Sequence, residues 1–230
     1  MNMDRGRGDA QEILLKGLEE LKRRENPVSG YSAGFIDALE KFLDELEMWN
    51  RRVRLVSGDR RDIVVRHLLD SLAVYPVIRA LAGENPENAV IADAGSGNGF
   101  PAVPLALRDE NLRFSLVERS AKKAAFLRNA VGILGLAGRI EVLDRDLREV
   151  DRQFSLVISR AFMPLSGAVP LIRGTIGKEG VLIFLAGRRT TIDGEISILE
   201  KHTGKAVKAE ILPVEVPFLP EERHVCLFRP

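Results

Sequence analysis

A turn that contains three glycines constrains this 230-residue chain more than any other feature. It follows a short apolar run that ends on the carboxylate Asp93, and its glycines are Gly95, Gly97 and Gly99. A helical apolar run comes next, and a second short apolar run then ends on Glu118. Glycines let the backbone turn tightly and approach a ligand closely, and a carboxylate at the next strand tip can accept hydrogen bonds from ribose hydroxyls. The pattern therefore predicts a strand–turn–helix–strand unit that binds a cofactor containing adenosine.

The spacing of the glycines indicates which cofactor this is. Dinucleotide-binding proteins typically carry G-x-G-x-x-G, whose third glycine lies inside the helix. Here the spacing is G-x-G-x-G after Asp93, which resembles the first motif of S-adenosylmethionine-dependent methyltransferases. The ammonium and sulfonium groups of that cofactor suit an aspartate at a strand tip. The glycines alone would also fit an ordinary βα turn, a nicotinamide-dependent oxidoreductase, or a nucleotide-binding module without catalytic activity.

The composition narrows the class of protein. The net charge is +1, so overall charge gives no indication of nucleic-acid binding, and local clusters of arginine and lysine must be considered instead. The single cysteine, Cys226, cannot form a disulfide within the chain, which agrees with a reducing cytoplasm. No apolar run approaches the length of a membrane span, and the polar N-terminus does not resemble a secretory signal. We therefore expect a cytoplasmic monomer without a membrane or metal partner.

The hydrophobic pattern divides the chain into three parts. Residues 1–8 are predicted to be a disordered tail, residues 9–83 a helical N-terminal extension, and residues 84–230 the main domain. In the main domain strands alternate with helices, which predicts a Rossmann-like α/β fold with a mostly parallel sheet. No helix separates the last two strands, so the C-terminal strand is predicted to be antiparallel. The predicted helices cover 10–24, 32–49, 62–81, 100–108, 120–135, 164–174 and 190–201, and the predicted strands cover 89–93, 112–118, 140–144, 154–159, 180–186, 206–213 and 223–229.

The loop after the fourth predicted strand, Ser159 to Pro164, should face the reacting group, because ligands bind outside the carboxyl ends of parallel strands. It lacks the Asn-Pro-Pro-Tyr pattern typical of enzymes that methylate amino groups of adenine or cytosine, and the only cysteine lies in the final strand. Guanine N7 fits what remains, because its in-plane lone pair needs neither a covalent step nor a general base. Arg160 is the candidate that orients the base or the cofactor, with a structural salt bridge as its alternative role. Phe162 either stacks on a flipped base or packs in the core.

Two histidines and the tryptophan are interpreted as structural residues. His67 and Asp70 lie three residues apart on one helical face, and two ligands are too few for a metal site. A packed or hydrogen-bonded pair is the better interpretation. His224, in an edge-type strand, and Trp49, at the end of an apolar stripe, are also predicted to have structural roles.

Five ordered segments resemble the bacterial ribosomal RNA small-subunit methyltransferase G family, formerly called glucose-inhibited division protein B. The resemblance runs from about Phe35 to Arg229, which is most of the chain. It implies a class I S-adenosylmethionine-dependent methyltransferase fold and methylation of guanine N7 in 16S ribosomal RNA, either free or in the small ribosomal subunit. The segments are Trp49-Asn50 with Arg66–Leu72, Asp93–Ala106, Glu118–Arg128, Ser159–Phe162 and Glu222–His224.

Together with the strand pattern, the resemblance assigns residues to roles. Arg160 is the predicted catalytic residue, and no metal ligand is predicted. The predicted cofactor-binding residues are Asp93, Gly95, Gly97, Phe100, Glu118, Asp146, Leu147 and Arg160. The predicted RNA-binding residues are Arg51, Arg52, Arg66, Lys122, Lys123, Arg128 and Arg188.

The chain departs from the family pattern at two strand ends. After the third strand it has Arg145-Asp146-Leu147 where the family has Arg-x-Glu, so cofactor contacts there are expected from backbone groups of Asp146 and Leu147. After the fifth strand it has Leu185-Ala186-Gly187 where the family has Leu-Lys-Gly, and Arg188 or Arg189 would supply the missing charge.

Overall fold

Seven strands form one sheet in the computed structural model, which describes residues 2–24, 31–160 and 163–229. The order is β3-β2-β1-β4-β5-β7-β6, and neighbouring strands are parallel except that β7 runs antiparallel to β5 and β6. The predicted mostly parallel α/β sheet with an antiparallel C-terminal strand is therefore confirmed. The strands are β1 (Val90–Ala94), β2 (Arg113–Val117), β3 (Ile140–Leu143), β4 (Phe154–Arg160), β5 (Ile176–Ala186), β6 (Ala209–Val214) and β7 (Arg223–Phe228).

Helices cover both faces of this sheet. They are α1 (Asn2–Arg24), α2 (Ala33–Val53), α3 (Arg60–Ile63), α4 (Asp70–Ala73), α5 (Tyr75–Ala82), α6 (Ala102–Arg108), α7 (Ala121–Ile133), α8 (Leu165–Ile172) and α9 (Arg189–Thr203). A π-helical segment, Val64–Leu69, joins α3 to α4.

Each face of the sheet has its own hydrophobic core, because successive strand residues point to opposite sides. Ile91 of β1 belongs to a core that includes buried residues of α1, α2, α6 and α7. Its neighbour Ala92 belongs to a second core with buried residues of α8 and α9. The N-terminal helices therefore share a core with the sheet. Trp49 packs on Phe126 at the border of the first core, with ring centroids 6.0 Å apart, as its structural interpretation predicted.

The N-terminal region differs from the predictions in two places. Residues 2–8, expected to be disordered, form the first turns of α1, and an ion pair between Arg7 and Asp44 joins this part of the helix to α2. The single helix expected over residues 62–81 is a run of α3, the π-helical segment, α4 and α5. Hydrophobic periodicity detects the buried stripe of such a run but does not distinguish the width of a turn.

Two features expected to be absent were searched for in the described residues. No helix there has the length and apolar character needed to cross a membrane. Within the same part of the chain, no group of three or more His, Cys, Asp and Glu side chains is placed to hold a metal ion.

Candidate active site

The glycine turn lies at the carboxyl end of β1 and is tied to the end of β2. The backbone N–H groups of Gly95 and Ser96 donate to the carbonyl of Val117 over 2.9 and 3.2 Å. The N–H of Gly97 donates to Oε2 of Glu118 over 3.0 Å, so this carboxylate also holds the loop. Gly95, Gly97 and Gly99 have positive φ angles of 76°, 49° and 82°, a conformation that side chains with a Cβ rarely adopt. The turn thus has the backbone shape that the motif predicted.

Asp93 is a buried carboxylate with an unused oxygen. It is 1% exposed, and its Oδ2 has no hydrogen-bond partner among the described residues. Burial raises the pKa of Asp93 to about 7; the negative charge of Glu118 adds to the shift, whereas Arg160 opposes it. A buried carboxylate without a partner is costly, and a cation bound beside it would relieve that cost. The ammonium and sulfonium groups of S-adenosylmethionine fit this requirement.

A cavity of about 240 Å³ adjoins the turn at the ends of β1, β2 and β3. It brings together four of the predicted cofactor-binding residues, which lie up to 52 positions apart along the chain. The carboxylate of Asp146 is held by Arg148 through two side-chain bonds of 2.8 Å, and these bonds keep its pKa well below the usual range. The lining residues are Gly95, Val117, Glu118, Arg119, Lys123, Arg145, Asp146 and Leu147.

Phe100 has a different environment from the other predicted cofactor residues. Its side chain is only 3% exposed, and its ring lies 5.3 Å from that of Phe42 and 5.5 Å from that of His67. The guanidinium of Arg160 lies over the same ring at 5.5 Å. The phenyl group is therefore part of the packing between the glycine turn, the N-terminal helices and β4. A cofactor contact at this position would come from the backbone.

A second cavity, of about 650 Å³, lies beyond the ends of β4 and β5. It is polar on the side of the π-helical segment and β7, and apolar on the side of α8 and α9. This is the edge where the sequence predicted that the methyl group and the target base meet. We call it the target cavity, and its polar lining consists of Ser57, Arg66, His67, Asp70, Arg160, Thr191, Glu195, Arg223 and His224.

Arg160 is held in this cavity by residues that are distant in sequence. Its Nη1 donates to Oδ2 of Asp70 over 3.0 Å, and its Nη2 lies 2.8 Å from Nδ1 of His67. The other oxygen of Asp70 accepts from Nε of Arg223 over 3.1 Å. The salt bridge considered as an alternative role for Arg160 is therefore present, and it forms one wall of the target cavity.

Burial dominates the titration of this group. It lowers the pKa of His67 to about 4, and the neighbouring Arg160 lowers it further. It also raises the pKa of Asp70, although Arg160 and Arg223 both oppose that shift. Burial lowers the pKa of Arg160 as well, against the pull of Asp70.

The sequence analysis found the His67–Asp70 pair but not its partners. Their spacing indicated a hydrogen-bonded pair, and the structure shows that both side chains bond to Arg160 instead of to each other. Arg223 and His224 were visible in the sequence as part of the Glu222–His224 segment, but their position beside Arg160 depends on the sheet order. His224 contacts the carbonyl of Gly187 through Nδ1 at 2.7 Å.

Two other predictions concern Cys226 and Phe162. Cys226 is fully buried in β7, where burial raises the pKa of its thiol to about 11, in agreement with a packing role. Phe162 lies outside the described residues, so its stacking or packing role stays a prediction.

The predicted RNA-binding residues divide into two groups. Arg51 and Arg52 are exposed at the end of α2, and Lys122 and Lys123 lie in the first turn of α7. The two helices are antiparallel, because Lys41 contacts the carbonyl of Ile133 while Trp49 contacts Phe126. Their basic ends therefore lie side by side; we call Arg51, Arg52, Lys122 and Lys123 the basic edge.

The other predicted RNA-binding residues are placed differently. Arg66 lines the target cavity and pairs with Glu221 at 2.8 Å, and Arg188 is exposed at the start of α9. Arg128 pairs with Asp144 at 3.0 Å. Arg60, which belongs to the arginine-rich stretch between Arg51 and Arg66, is buried among three acidic side chains and cannot be an RNA contact in this conformation.

Comparisons with known proteins agree with this geometry. A family described as rRNA small subunit methyltransferase G matches residues 35–226. A ribosomal RNA small subunit methyltransferase G from Polynucleobacter asymbioticus is 34% identical over 224 residues, covering 95% of this chain and 95% of that protein. A protein of the same name from Xylella fastidiosa is 34% identical over 202 residues, covering 85% of this chain and 87% of its own.

Solved structures share the fold at low sequence identity. Magnesium protoporphyrin IX methyltransferase from Synechocystis, solved with bound SAM, has a TM-score of 0.54 and 14% identity, covering 88% of this chain and 100% of that chain. A ribosomal protein L11 methylase from Lactobacillus delbrueckii has a TM-score of 0.52 and 16% identity, covering 76% and 82%. These similarities establish a methyltransferase fold.

Proposed function

The chain belongs to the rRNA small subunit methyltransferase G family, and we propose that it methylates N7 of a guanine in 16S ribosomal RNA. It is an enzyme that uses S-adenosylmethionine. The choice of N7, the roles of individual residues and action as a cytoplasmic monomer are parts of the proposal.

The observation that supports N7 is the state of the carboxylates in the target cavity. Asp70 accepts hydrogen bonds from Arg160 and Arg223, and Glu195 accepts from the hydroxyl and the backbone N–H of Ser166 at 2.6 and 3.1 Å. Both carboxylates are therefore engaged by donors and are poorly placed to take a proton from a substrate. Guanine N7 carries no proton, so its methylation requires none to be removed.

The cofactor is proposed to lie along the ends of β1, β2 and β3. Asp93 would hold its cationic methionine end, and Glu118 would accept hydrogen bonds from the ribose, as the glycine turn allows close approach. Backbone groups of Asp146 and Leu147 would contact the adenine in the adjoining cavity. When bound, S-adenosylmethionine supplies an electrophilic methyl group on a sulfonium.

Arg160 is proposed to orient the reactants where the two cavities approach each other. Asp70 and His67 occupy one hydrogen of each terminal nitrogen, which leaves the remaining guanidinium donors for the methionine carboxylate or for O6 of guanine. A donor on N7 itself would block the attack, so Arg160 must bind beside that atom. Catalysis then depends on alignment and on a rigid, water-poor site instead of on proton transfer.

The basic edge is proposed to bind the phosphate backbone of the RNA. It lies beside the cofactor cavity, since Lys123 lines that cavity. The loop after α2 also touches the glycine turn, where Nδ2 of Asn98 donates to the carbonyl of Leu55 over 3.4 Å. An RNA strand bound along the basic edge would thus pass close to the methyl group.

Two experiments test the cofactor and the target. Calorimetry of the purified protein with S-adenosylhomocysteine and with NAD should show binding of the first alone. Mapping of N7-methylguanine in 16S ribosomal RNA from cells with and without this gene should find one site that disappears. Binding of NAD alone, or an unchanged methylation map, would contradict the proposal.

A third experiment tests Arg160. Arg160→Ala should lower single-turnover methyl transfer about 100-fold at saturating RNA and cofactor, and Arg160→Lys should restore part of the rate, because lysine lacks the planar fork. Arg113→Ala is the matched control, since Arg113 is an exposed arginine at the opposite end of the sheet. A near-normal rate in Arg160→Ala would make Arg160 a structural residue.

A further inference from the structure

We propose that His67 and Asp70 are positioning residues for methyl transfer: they fix the guanidinium of Arg160 from the side of the N-terminal helices. The inference depends on the proposed function of Arg160. It gives the N-terminal helices a part in the active site as well as a contact with RNA.

The backbone around these two residues has an unusual conformation. His67 lies within the π-helical segment Val64–Leu69, and Asp70 is the first residue after it. Single π-helical turns inside α-helices occur frequently at functional sites. The segment is held firmly by the buried side chains of Val64, Leu68 and Leu69, so the polar side chains between them have little freedom to move.

The hydrogen bonds determine the chemical state of His67. Arginine can only donate, so Nδ1 of His67, 2.8 Å from Nη2 of Arg160, must be the acceptor. The imidazole is therefore neutral, with its proton on Nε2, and the burial that lowers its pKa keeps it so at neutral pH. The ring also lies against Phe100 at an interplanar angle of 23°, which connects it to the glycine turn.

Asp70 fixes two arginines at once. One of its oxygens accepts from Arg160 and the other from Arg223, over contacts that span 90 and 153 residues of the chain. The carboxylate is 8% exposed, so its charge acts in a medium that screens it weakly. Arg160 thus has a partner on each terminal nitrogen and a ring beneath it, which leaves one orientation for its remaining donors.

A double-mutant cycle separates positioning from a purely structural role. Asp70→Asn and His67→Ala should each lower the single-turnover rate by about 10- to 100-fold, the effect of one lost hydrogen bond to a charged group. Combining either change with Arg160→Ala should produce a protein no slower than Arg160→Ala alone. His67→Gln should recover part of the rate, because its amide oxygen can accept the same hydrogen bond.

The control is another buried aspartate with similar partners. Asp109 is also 8% exposed; it accepts from Tyr75 at 3.1 Å and pairs with Arg79 at 3.5 Å, at the end of α6 away from both cavities. Asp109→Asn should lower the melting temperature without changing the rate. Affinity for S-adenosylhomocysteine should stay within about threefold in the Asp70 and His67 variants, because the cofactor cavity is elsewhere.

The outcomes distinguish this inference from the proposed function. A slow Arg160→Ala protein with normal rates in Asp70→Asn and His67→Ala would overturn the positioning role alone. Rate losses in the double variants equal to the product of the single losses would also overturn it, because the residues would then act independently. If Asp70→Asn does not fold, the cycle with His67→Ala and His67→Gln gives the same decision.

Discussion

The cofactor cavity and the target cavity lie at the same edge of one sheet but are built in different ways. The first is formed by the ends of three adjacent strands, and its defining side-chain bond, from Gly97 to Glu118, spans 21 residues. The second is defined by Arg160, whose partners lie 90 and 93 residues earlier in the chain. The cofactor cavity is therefore encoded by local motifs, whereas the target cavity exists only after the N-terminal helices pack against the sheet.

The two regions also differ in the sign of their electrostatic perturbation. In the cofactor half, burial without a partner favours the neutral form of Asp93. In the target half, burial and two arginines favour the neutral form of His67. One region thus holds an acid that awaits a cation, and the other holds a histidine that already serves as an acceptor. The variants below test this contrast, beginning with the largest expected effect.

Replacing Asp93 should have the greatest effect on the cofactor half. Asp93→Asn removes the buried charge proposed to face the cationic end of the cofactor, so affinity for S-adenosylhomocysteine and for S-adenosylmethionine should fall. We expect a roughly 100-fold loss for S-adenosylmethionine, about 3 kcal/mol, measured by isothermal titration calorimetry. Equal affinity in wild type and variant would show that Asp93 does not contact the ligand.

Two glycines of the same turn should respond to valine in opposite ways. A Cβ on Gly97 meets only ordinary contacts, at 3.6 and 3.9 Å, so Gly97→Val should fold with modest strain while its side chain enters the cofactor space. We expect about a tenfold or larger loss of cofactor affinity. A Cβ on Gly99 would lie 3.1 Å from Val103 and 3.2 Å from Phe42, so Gly99→Val should instead lose about 3 kcal/mol of stability. Thermal unfolding and calorimetry on both variants would reveal a reversed pattern if the assignment is wrong.

Asp93 and His67 should give opposite slopes of stability against pH in the cofactor-free protein. The pKa of Asp93 rises from 3.8 to about 7 on folding, so its contribution is full below pH 3.8 and is lost as the pH rises to 7. The pKa of His67 falls from 6.5 to about 4, so its contribution is full above pH 6.5 and is lost as the pH falls to 4. Between pH 4 and 6.5 the two slopes, each about 1.4 kcal/mol per pH unit, should largely cancel.

Single variants should expose each slope. Relative to wild type, the free energy of unfolding of Asp93→Asn should rise more steeply with pH between 4 and 6.5, and that of His67→Gln should fall with pH. Urea unfolding at half-unit pH intervals measures both. Parallel curves for the three proteins would mean that neither group is perturbed in the folded state.

The same contrast explains what could be predicted from the sequence. The strand order and the cofactor residues followed from hydrophobic alternation, glycine spacing and a carboxylate at each of two strand tips, because adjacent parallel strands bring those tips together. The resemblance to a known family added Asp146 and Leu147, which the structure places in the same cavity. These are relations between neighbouring elements, and they are visible as patterns in a window of residues.

The contacts of Arg160 could not be predicted in this way. The pair His67 and Asp70 was recognised, but nothing in its spacing states which distant side chain it meets. The π-helical turn that presents the pair leaves the hydrophobic stripe almost unchanged. Charge clustering was also ambiguous, since Arg60 and Arg52 lie eight residues apart and one is buried among acids while the other is exposed.

The smallest expected effects concern the basic edge, and they test whether it belongs to the target half. Arg52→Ala and Lys122→Ala each remove one exposed charge from the adjacent ends of α2 and α7. Each should weaken binding to 16S ribosomal RNA about two- to threefold near 0.15 M salt and reduce the slope of log affinity against log salt by about one. Cofactor affinity and melting temperature should not change, and Arg113→Ala should leave RNA binding at the wild-type level. Because counterion release produces both effects, a weakened affinity with an unchanged salt slope would mean that the side chain contacts RNA without neutralising a phosphate. An affinity independent of salt in the wild type would mean that the basic edge is ordinary solvated surface.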